Sequence, residues 1–350
     1  MPDTFLLFAL IDLKPYLSFG YIVFVIITIA VIIHDKRDPV KALSWIIVIS
    51  LLPVVGFIFY IVFGRNHRKQ KLFSRKELSD LEQIDTLSRQ QIYEINNAAV
   101  LHKPEISDNR DIITLLLNSN KALLTVHNRV KLLNDGTETF DEIRKALWSA
   151  SSSIHLEYYI WRGDRLGSRL LDELTKKAAE GIEVRILYDG IGNSRLPKNF
   201  FDQFHAAGGY TAAFLPRFVV RLNYRNHRKL AIIDGKIGYI GGFNVGDEYL
   251  GIVNRYGPWR DTHLRFQGDA VDQMQMRFIM DWNFTAKFGL IHLGEKYFPK
   301  KEQQIKGVRT QIVSSGPDTQ WKNIRNGYFK MINEAESNVF LTTPYFVPDD

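Results

Sequence analysis

The sequence predicts an α/β domain set behind an apolar helical hairpin, and two observations carry that prediction. Strand-like and helix-like segments alternate from residue 129 onward, the pattern of helices packed on a largely parallel or mixed sheet. Ahead of them stand two apolar runs, 16–33 and 42–64. Each is close to the roughly 20 residues that a helix needs to cross bilayer hydrocarbon.

The link between the runs, His34-Asp35-Lys36-Arg37-Asp38-Pro39-Val40-Lys41, is polar and long enough for a tight turn. A secretory signal peptide does not fit the first run, because no basic start precedes it and a second apolar run follows at once. A hairpin buried inside a globular domain is the other reading. Lys14 together with Arg65, Arg68, Lys69, Lys71, Arg75 and Lys76 flanks the pair, against Lys36, Arg37 and Lys41 in the link. The positive-inside rule then places both ends in the cytoplasm. Residues 1–65 are expected to be a two-helix transmembrane anchor. Residues 66–127 are polar and helix-prone, with Leu78, Leu81, Ile84, Leu87 and Ile92 loosely at helical spacing. They read as a connecting segment without chemistry.

Beyond it the expected strands are Arg129–Leu133, Ser153–Trp161, Ile182–Asp189, Tyr210–Leu215, Lys229–Ile233, Gly238–Ile240 and Thr262–Phe266. The expected helices are Phe140–Ala150, Ser168–Ala179, Phe200–Ala207 and Ala270–Phe288. In the last of these, apolar residues recur at three and four. A weaker similarity runs at fixed offset along the chain. Arg129–Gly136 matches Arg309–Gly316 in spacing, and Ser153–Leu156 with Asp164 matches Asn338–Leu341 with Asp349. Such similarity marks a duplicated unit. Residues 128–306 are therefore expected to form a first lobe, and 307–350 the start of a second, incomplete one.

Composition narrows the partners. The chain has 350 residues, 45% of them hydrophobic, and no cysteine. A disulfide framework or thiolate metal site is excluded, which suits a reducing compartment. The net charge is +7, and charges within residues 1–64 cancel, so the excess lies beyond them. A basic portion seeks nucleic acid or an acidic lipid surface. The histidines are scattered and none has ligand spacing, so neither metal nor cofactor is expected.

One stretch concentrates the chemistry. His227-Arg228-Lys229-Leu230-Ala231-Ile232-Ile233-Asp234 sets an imidazole and an ammonium two residues apart, and Gly241-Gly242-Phe243-Asn244 follows. On an extended strand both side chains leave one face. A nucleophile beside a fixed positive charge suits attack on a phosphodiester. An isolated His-x-Lys is more often surface decoration; the spacing to Asp234, the glycine pair and Asn244 favours function. The box and its tail resemble the HKD signature of the phospholipase D superfamily. The stretch 39–66, with Ala42-Leu43-Ser44-Trp45 and Leu52-Pro53-Val54-Val55-Gly56, resembles the N-terminal anchor of bacterial cardiolipin synthases.

The resemblance implies a phospholipase-D-like mixed sheet flanked by helices and phosphatidyl transfer through a phosphohistidine. It implies His227 as nucleophile, Lys229 and Asn244 as donors to the phosphate oxygens, and Asp261 as the carboxylate that orients the imidazole. Asp234 completes the motif, although a role in the strand turn suits it better. Gly241 and Gly242 would let the backbone approach phosphate. The superfamily builds one site from two boxes, and this sequence carries one. Either the sequence is truncated, or a homodimer shares two copies of His227 across a twofold axis. Between Asp202 and Asp234 there is no acidic residue, and Arg217, Arg221, Arg225 and Arg228 flank Phe218-Val219-Val220. This suits either a lip for anionic headgroups or a solvated basic loop. Tyr158, Tyr159 and Trp161 are expected in the core.

The expected function is a multi-pass cardiolipin synthase of the cell membrane with a cytoplasmic catalytic domain. It would convert two phosphatidylglycerol molecules to cardiolipin and glycerol, acting on anionic phospholipids and not on nucleic acid. A phospholipase D using water, or a non-catalytic lipid-binding protein, is the alternative.

Overall fold

The structure is a computed structural model, and it describes residues 14–34, 39–60, 75–96, 104–214, 225–253, 257–286, 288–300, 307–316 and 321–346. The described residues up to 60 belong to one compact unit and those from 75 onward to another. In the first, α1 (Lys14–His34), α2 (Pro39–Leu51) and α3 (Pro53–Phe59) follow the two apolar runs. The second run is not one helix. Pro53 lacks an amide hydrogen and drives the residue before it out of the α region, so Leu52 sits at φ −133°, ψ 74°. Aromatic and polar contacts tie the helices together. Phe24 meets Phe57 edge-on at 5.0 Å, Tyr21 Oη donates to Ser50 O at 2.8 Å, and Ile32, Ile49 and Tyr60 are buried between them. Ile22, Ile26, Ile27, Leu43, Ile47, Val54 and Ile58 face outward. Among the described residues no helix is both long and apolar enough to cross a membrane. The acidic–basic link 35–38 and Arg65 to Lys71 lie outside the described residues.

The second unit opens with α4 (Arg75–Asn96), α5 (Pro104–Ser107) and α6 (Arg110–Asn120). Ile95, Ile106, Ile113 and Leu117 make a small core of their own. The Gln91 amide closes a two-bond clasp with the backbone of Leu124 at 2.9 Å each way. The described part of the connecting segment is thus packed structure.

The lobe follows as β1 (Asn128–Asp135), α7 (Gly136–Trp148), β2 (Ser153–Tyr158), α8 (Arg165–Ala179), β3 (Glu183–Asp189), α9 (Asp202–Ala206), β4 (Tyr210–Phe214), β5 (Lys229–Ile233), β6 (Ile237–Gly241), β7 (Arg260–Gly268) and α10 (Ala270–Thr285). Seven strands form one mixed sheet in the order β1-β7-β6-β5-β2-β3-β4. β2, β3 and β4 run parallel, as their helical crossovers require, and the remaining pairs are antiparallel. Helix starts are set by side chains. Asp135 accepts from Glu138 N at 2.8 Å, and Asp164 from Gly167 N at 3.0 Å.

Each face of the sheet has its own core. Leu166, Leu170, Leu171, Leu174 and Ala178 form the α8 stripe, which packs with Phe140 and Ile143 on Ile154, Leu156, Ala231 and Ile233. Alternate residues Leu230 and Ile232 face Val271, Met274, Phe278 and Trp282 of α10. Each fully buried Leu, Ile or Phe contributes about 1.5–3 kcal/mol. α10 stops at Thr285, not Phe288. There the Asn283 amide clasps Ile291, the Trp282 indole donates to Gly289 O at 3.0 Å, and Gly289 turns the chain at φ 65°.

The expected second copy is only partly regular. α11 (Asn323–Glu334) covers its helix. Residues 309–316 contribute one bridge, Thr310 to Thr125, and 338–341 join no strand among the described residues. An extended segment without ladder partners gains too little to be ordered as a sheet.

Asp234 is a structural keystone. It follows β5 at φ 54°, a conformation Asp tolerates better than most residues. Its carboxylate accepts from Ser151 N, Ser152 N, Ser153 N and Ser151 Oγ at 2.7–3.0 Å. Burial pushes its pKa up, but the amides of Ser153, Ser151 and Ser152 outweigh this and hold it below the usual carboxylate value. At neutral pH Asp234→Ala should cost about 2–4 kcal/mol, since it strands several buried donors. The gap should narrow as pH falls through the depressed value, where the wild type also loses the carboxylate. Denaturant titrations at pH 7 and pH 3 check both; equal stability at pH 7 would contradict the clamp.

Candidate active site

Strand alternation sorts the box residues by face. β5 pairs with β2 through Tyr158↔Lys229 and with β6 through Leu230↔Ile240, which sets Lys229 beside Gly241; Gly241 pairs with His263. Tyr158, Lys229, Gly241 and His263 therefore form one row across four strands, and residues opposite each other share a face. Arg228 points the other way. Its Nη1 lies 2.6 Å from Asp281 Oδ2 and 3.7 Å from Glu157 Oε1. Asn226 joins the same network through Glu157, and its own Oδ1 accepts from Arg228 N at 3.1 Å. Burial, and then the Asp281 charge, pushes the Glu157 carboxyl up.

His227 is exposed, and its imidazole lies flat on the ring of Tyr159, 3.9 Å between centroids and 17° between planes. Lys229 Nζ sits 5.5 Å from the same ring and donates to His227 O at 2.6 Å. Tyr158 and Trp161 are buried as expected, but Tyr159 belongs to the site. Its peptide leaves the ladder after β2 and is held by Asn193, whose Nδ2 donates to Tyr159 O at 2.9 Å and to Asp189 O at 2.8 Å.

The electrostatics keep His227 neutral. Burial, then the Lys229 charge, lowers its pKa, and Asp189 opposes them. Burial brings Lys229 down to about 8, against the pull of Asp261. Asp261 thus acts on the lysine. Its Oδ1 accepts from Thr262 N at 2.6 Å, and no hydrogen bond joins it to His227 among the described residues. The carboxylate felt by the imidazole is that of Asp189, held by Ile191 N and Gly192 N at 2.9 Å each.

Asp234 keeps the strand-turn role that suited it better in the sequence, whereas Asn244 and the glycine pair stand differently from what the motif implied. Asp234 ends the far side of β5 and is spent on Ser151–Ser153, so it takes no part at His227. Asn244 is buried, with Oδ1 accepting from Ile160 N at 3.1 Å and Nδ2 donating to Tyr249 Oη at 2.9 Å. Its amide fixes the loop that carries Tyr159. The glycine pair makes room for side chains of β7. A Cβ on Gly241 would lie 2.5 Å from His263 Cα and Cγ, and one on Gly242 would strike the Asp261 carboxylate. Arg225 is buried beside Asp189 at 3.9 Å, so neither it nor Arg228 forms an exposed lip; Arg217, Phe218, Val219, Val220 and Arg221 lie outside the described residues.

Residue spacing alone did not single out His263, Asn226 or Asp189. The signal for His263 was its position two residues after Asp261 on a strand, which returns it to the same face. Among the described residues no group of three or more His, Asp and Glu could hold a metal ion. What the arrangement offers is a neutral imidazole, presented to solvent on an aromatic plate, with an ammonium beside it.

Residues 22–65 match the family described as phospholipase D-nuclease N-terminal, and residues 143–256 the one described as cardiolipin synthase, PLD-like domain. The chain is 42% identical over 345 residues to the major cardiolipin synthase ClsA of Bacillus subtilis, covering 95% of this chain and 70% of that one. It is 42% identical over 337 residues to the cardiolipin synthase of Oceanobacillus iheyensis, with the same coverage. The cardiolipin synthase of Listeria monocytogenes serotype 4a is 45% identical over 327 residues, covering 90% and 66%.

Gly241→Ala should force the His263 ring out of its place and cost about 1–3 kcal/mol by overpacking. Thermal melting of the variant checks this, and an unchanged melting temperature would mean that the ring does not occupy that space.

Proposed function

We propose, since this chain belongs to the bacterial cardiolipin synthases of the phospholipase D superfamily, that it transfers a phosphatidyl group from one phosphatidylglycerol to another, giving cardiolipin and glycerol. The observation that carries the chemistry is the stack of His227 on Tyr159 beside Lys229. A neutral imidazole holds a free lone pair without prior ionisation. Its attack forms a phosphorus–nitrogen bond and breaks the phosphorus–oxygen bond to the glycerol headgroup, which leaves with a proton from a general acid. A hydroxyl of the second lipid then attacks phosphorus, returns its proton to that same group, now a base, and releases the imidazole. Lys229, carried by a strand and not by a loop, presents its charge where the non-bridging oxygens gain negative charge. Tyr159 limits rotation of the imidazole and shields one of its faces from water.

The N-terminal hairpin serves as a membrane anchor, with both ends and the catalytic lobe on the cytoplasmic side. The outward aliphatic side chains of α1, α2 and α3 support this, since such a face is costly in water. A basic lobe held at an anionic leaflet is where an acidic lipid substrate is concentrated.

Membranes from cells expressing the full-length protein should convert labelled phosphatidylglycerol to cardiolipin. Phosphatidic acid as the main product would favour hydrolysis instead. His227→Ala should lower turnover by roughly 10^4-fold or more, as loss of a covalent nucleophile does in hydrolases. Wild-type rates in that variant would remove His227 from the reaction. The pH profile of kcat/KM should rise through an acid limb below that of ordinary imidazole, because His227 must be unprotonated and its pKa is lowered. It should fall through an alkaline limb near pH 8, where Lys229 loses its proton. Lys229→Arg should carry that alkaline limb beyond the measurable range, whatever its effect on rate.

A further inference from the structure

His263 has no role in the chemistry so far, yet it is the most unusual polar group near the site. Its side chain is fully buried, and among the described residues neither ring nitrogen has a hydrogen-bond partner. Buried polar groups are nearly always satisfied, so one that is not calls for a reason. Its surroundings do not supply one. Leu133 lies opposite it on β1, and Phe243 stacks on it at 5.9 Å. The only cationic neighbour along the row is Lys229, one strand beyond Gly241. Gly241 contributes no side chain, so nothing on that face of β6 stands between ring and ammonium.

We infer that His263 is a positioning residue for Lys229, offering a neutral ring nitrogen that draws the ammonium off the His227 carbonyl towards the ring lying over Gly241, where it faces the bound phosphate. The inference rests on the reading of His227 and Lys229 as the phosphatidyl-transfer pair. In the structure Lys229 Nζ is bonded to its own strand at His227 O, which is not where an incoming phosphate needs the charge. A ring acceptor over Gly241 gives the ammonium a second resting place closer to the other end of the row. The ring stays an acceptor because burial, and then the Lys229 charge, hold its pKa down at about 3. Gly241 and His263 on this account form one device: the glycine clears the line between the two side chains.

The test is a pair of substitutions in the full-length protein, assayed beside wild type and His227→Ala for conversion of phosphatidylglycerol to cardiolipin. His263→Phe fills the site next to Phe243 and removes both nitrogens, so its melting temperature should equal or exceed that of wild type. Its kcat should fall about 10- to 100-fold, the worth of a hydrogen bond to a charged group, while KM changes little. His263→Gln returns an acceptor oxygen and should recover most of the loss. Wild-type kcat in His263→Phe would overturn the inference, as would kcat losses in both variants that only follow losses of melting temperature. Absence of cardiolipin from the wild-type protein would instead defeat the proposed function, on which this inference stands.

Discussion

The site depends on how the chain enters one short strand, with His227 and Arg228 leading into Lys229, the first residue of β5. His227 and Lys229 can share a face only while Arg228 is held on the other, and that side chain is long enough to reverse the order if left free. The structure prevents this with a buried network: Arg228 bonds Asp281 of α10, which also pairs with Arg277, while Glu157 of β2 holds Asn226. Breaking such a network by removing one partner leaves an uncompensated charge inside the protein, which is strongly unfavourable. The middle residue of the His-x-Lys box is therefore an anchor. Its salt bridges lie on the side of the sheet away from the chemistry, and they fix the register in which the chemistry is displayed.

Around that strand, space is distributed by size. Gly241 at the end of β6 and Gly242 just after it leave gaps, and β7 fills them with His263 and Asp261, which brings an imidazole and a carboxylate towards Lys229. Burial then sets the charge states. Partial withdrawal from water lowers the proton affinity of both His227 and Lys229; the Lys229 charge adds to this at His227, where Asp189 opposes it, and Asp261 opposes it at Lys229. A neutral nucleophile next to a cation is what phosphoryl attack needs.

Much of this was legible in the residues. The strands and helices of the lobe fall within a few positions of where alternation placed them, because each carries an apolar face of the right period. Strand Lys229–Ile233 was placed to the residue, since Asp234-Gly235 can only turn. The divided second helix could have been read from Leu52-Pro53, but hydropathy averages over such breaks. Asn244 and Asp261 were assigned by motif, and motif spacing says nothing about which atom a side chain meets across the sheet. The glycine pair illustrates the point: its small size was clear from the sequence, but whether a ligand or a neighbouring strand would use the space was not. Tyr159 was assigned to the core because aromatic residues near strands usually are; only the Asn193 clasp, made 34 residues away, turns it outward.

β5 lies at the middle of the seven-stranded order, with three strands on each side. Inner strands are generally the last to open in hydrogen-exchange measurements, while exposed loops fluctuate first. Lys229 opens that strand and pairs with Tyr158 of β2, while His227 stands just before it, outside the ladders. The charge is therefore held more firmly than the nucleophile: fraying at the entry to β5 would displace the imidazole while the rest of the sheet stays folded.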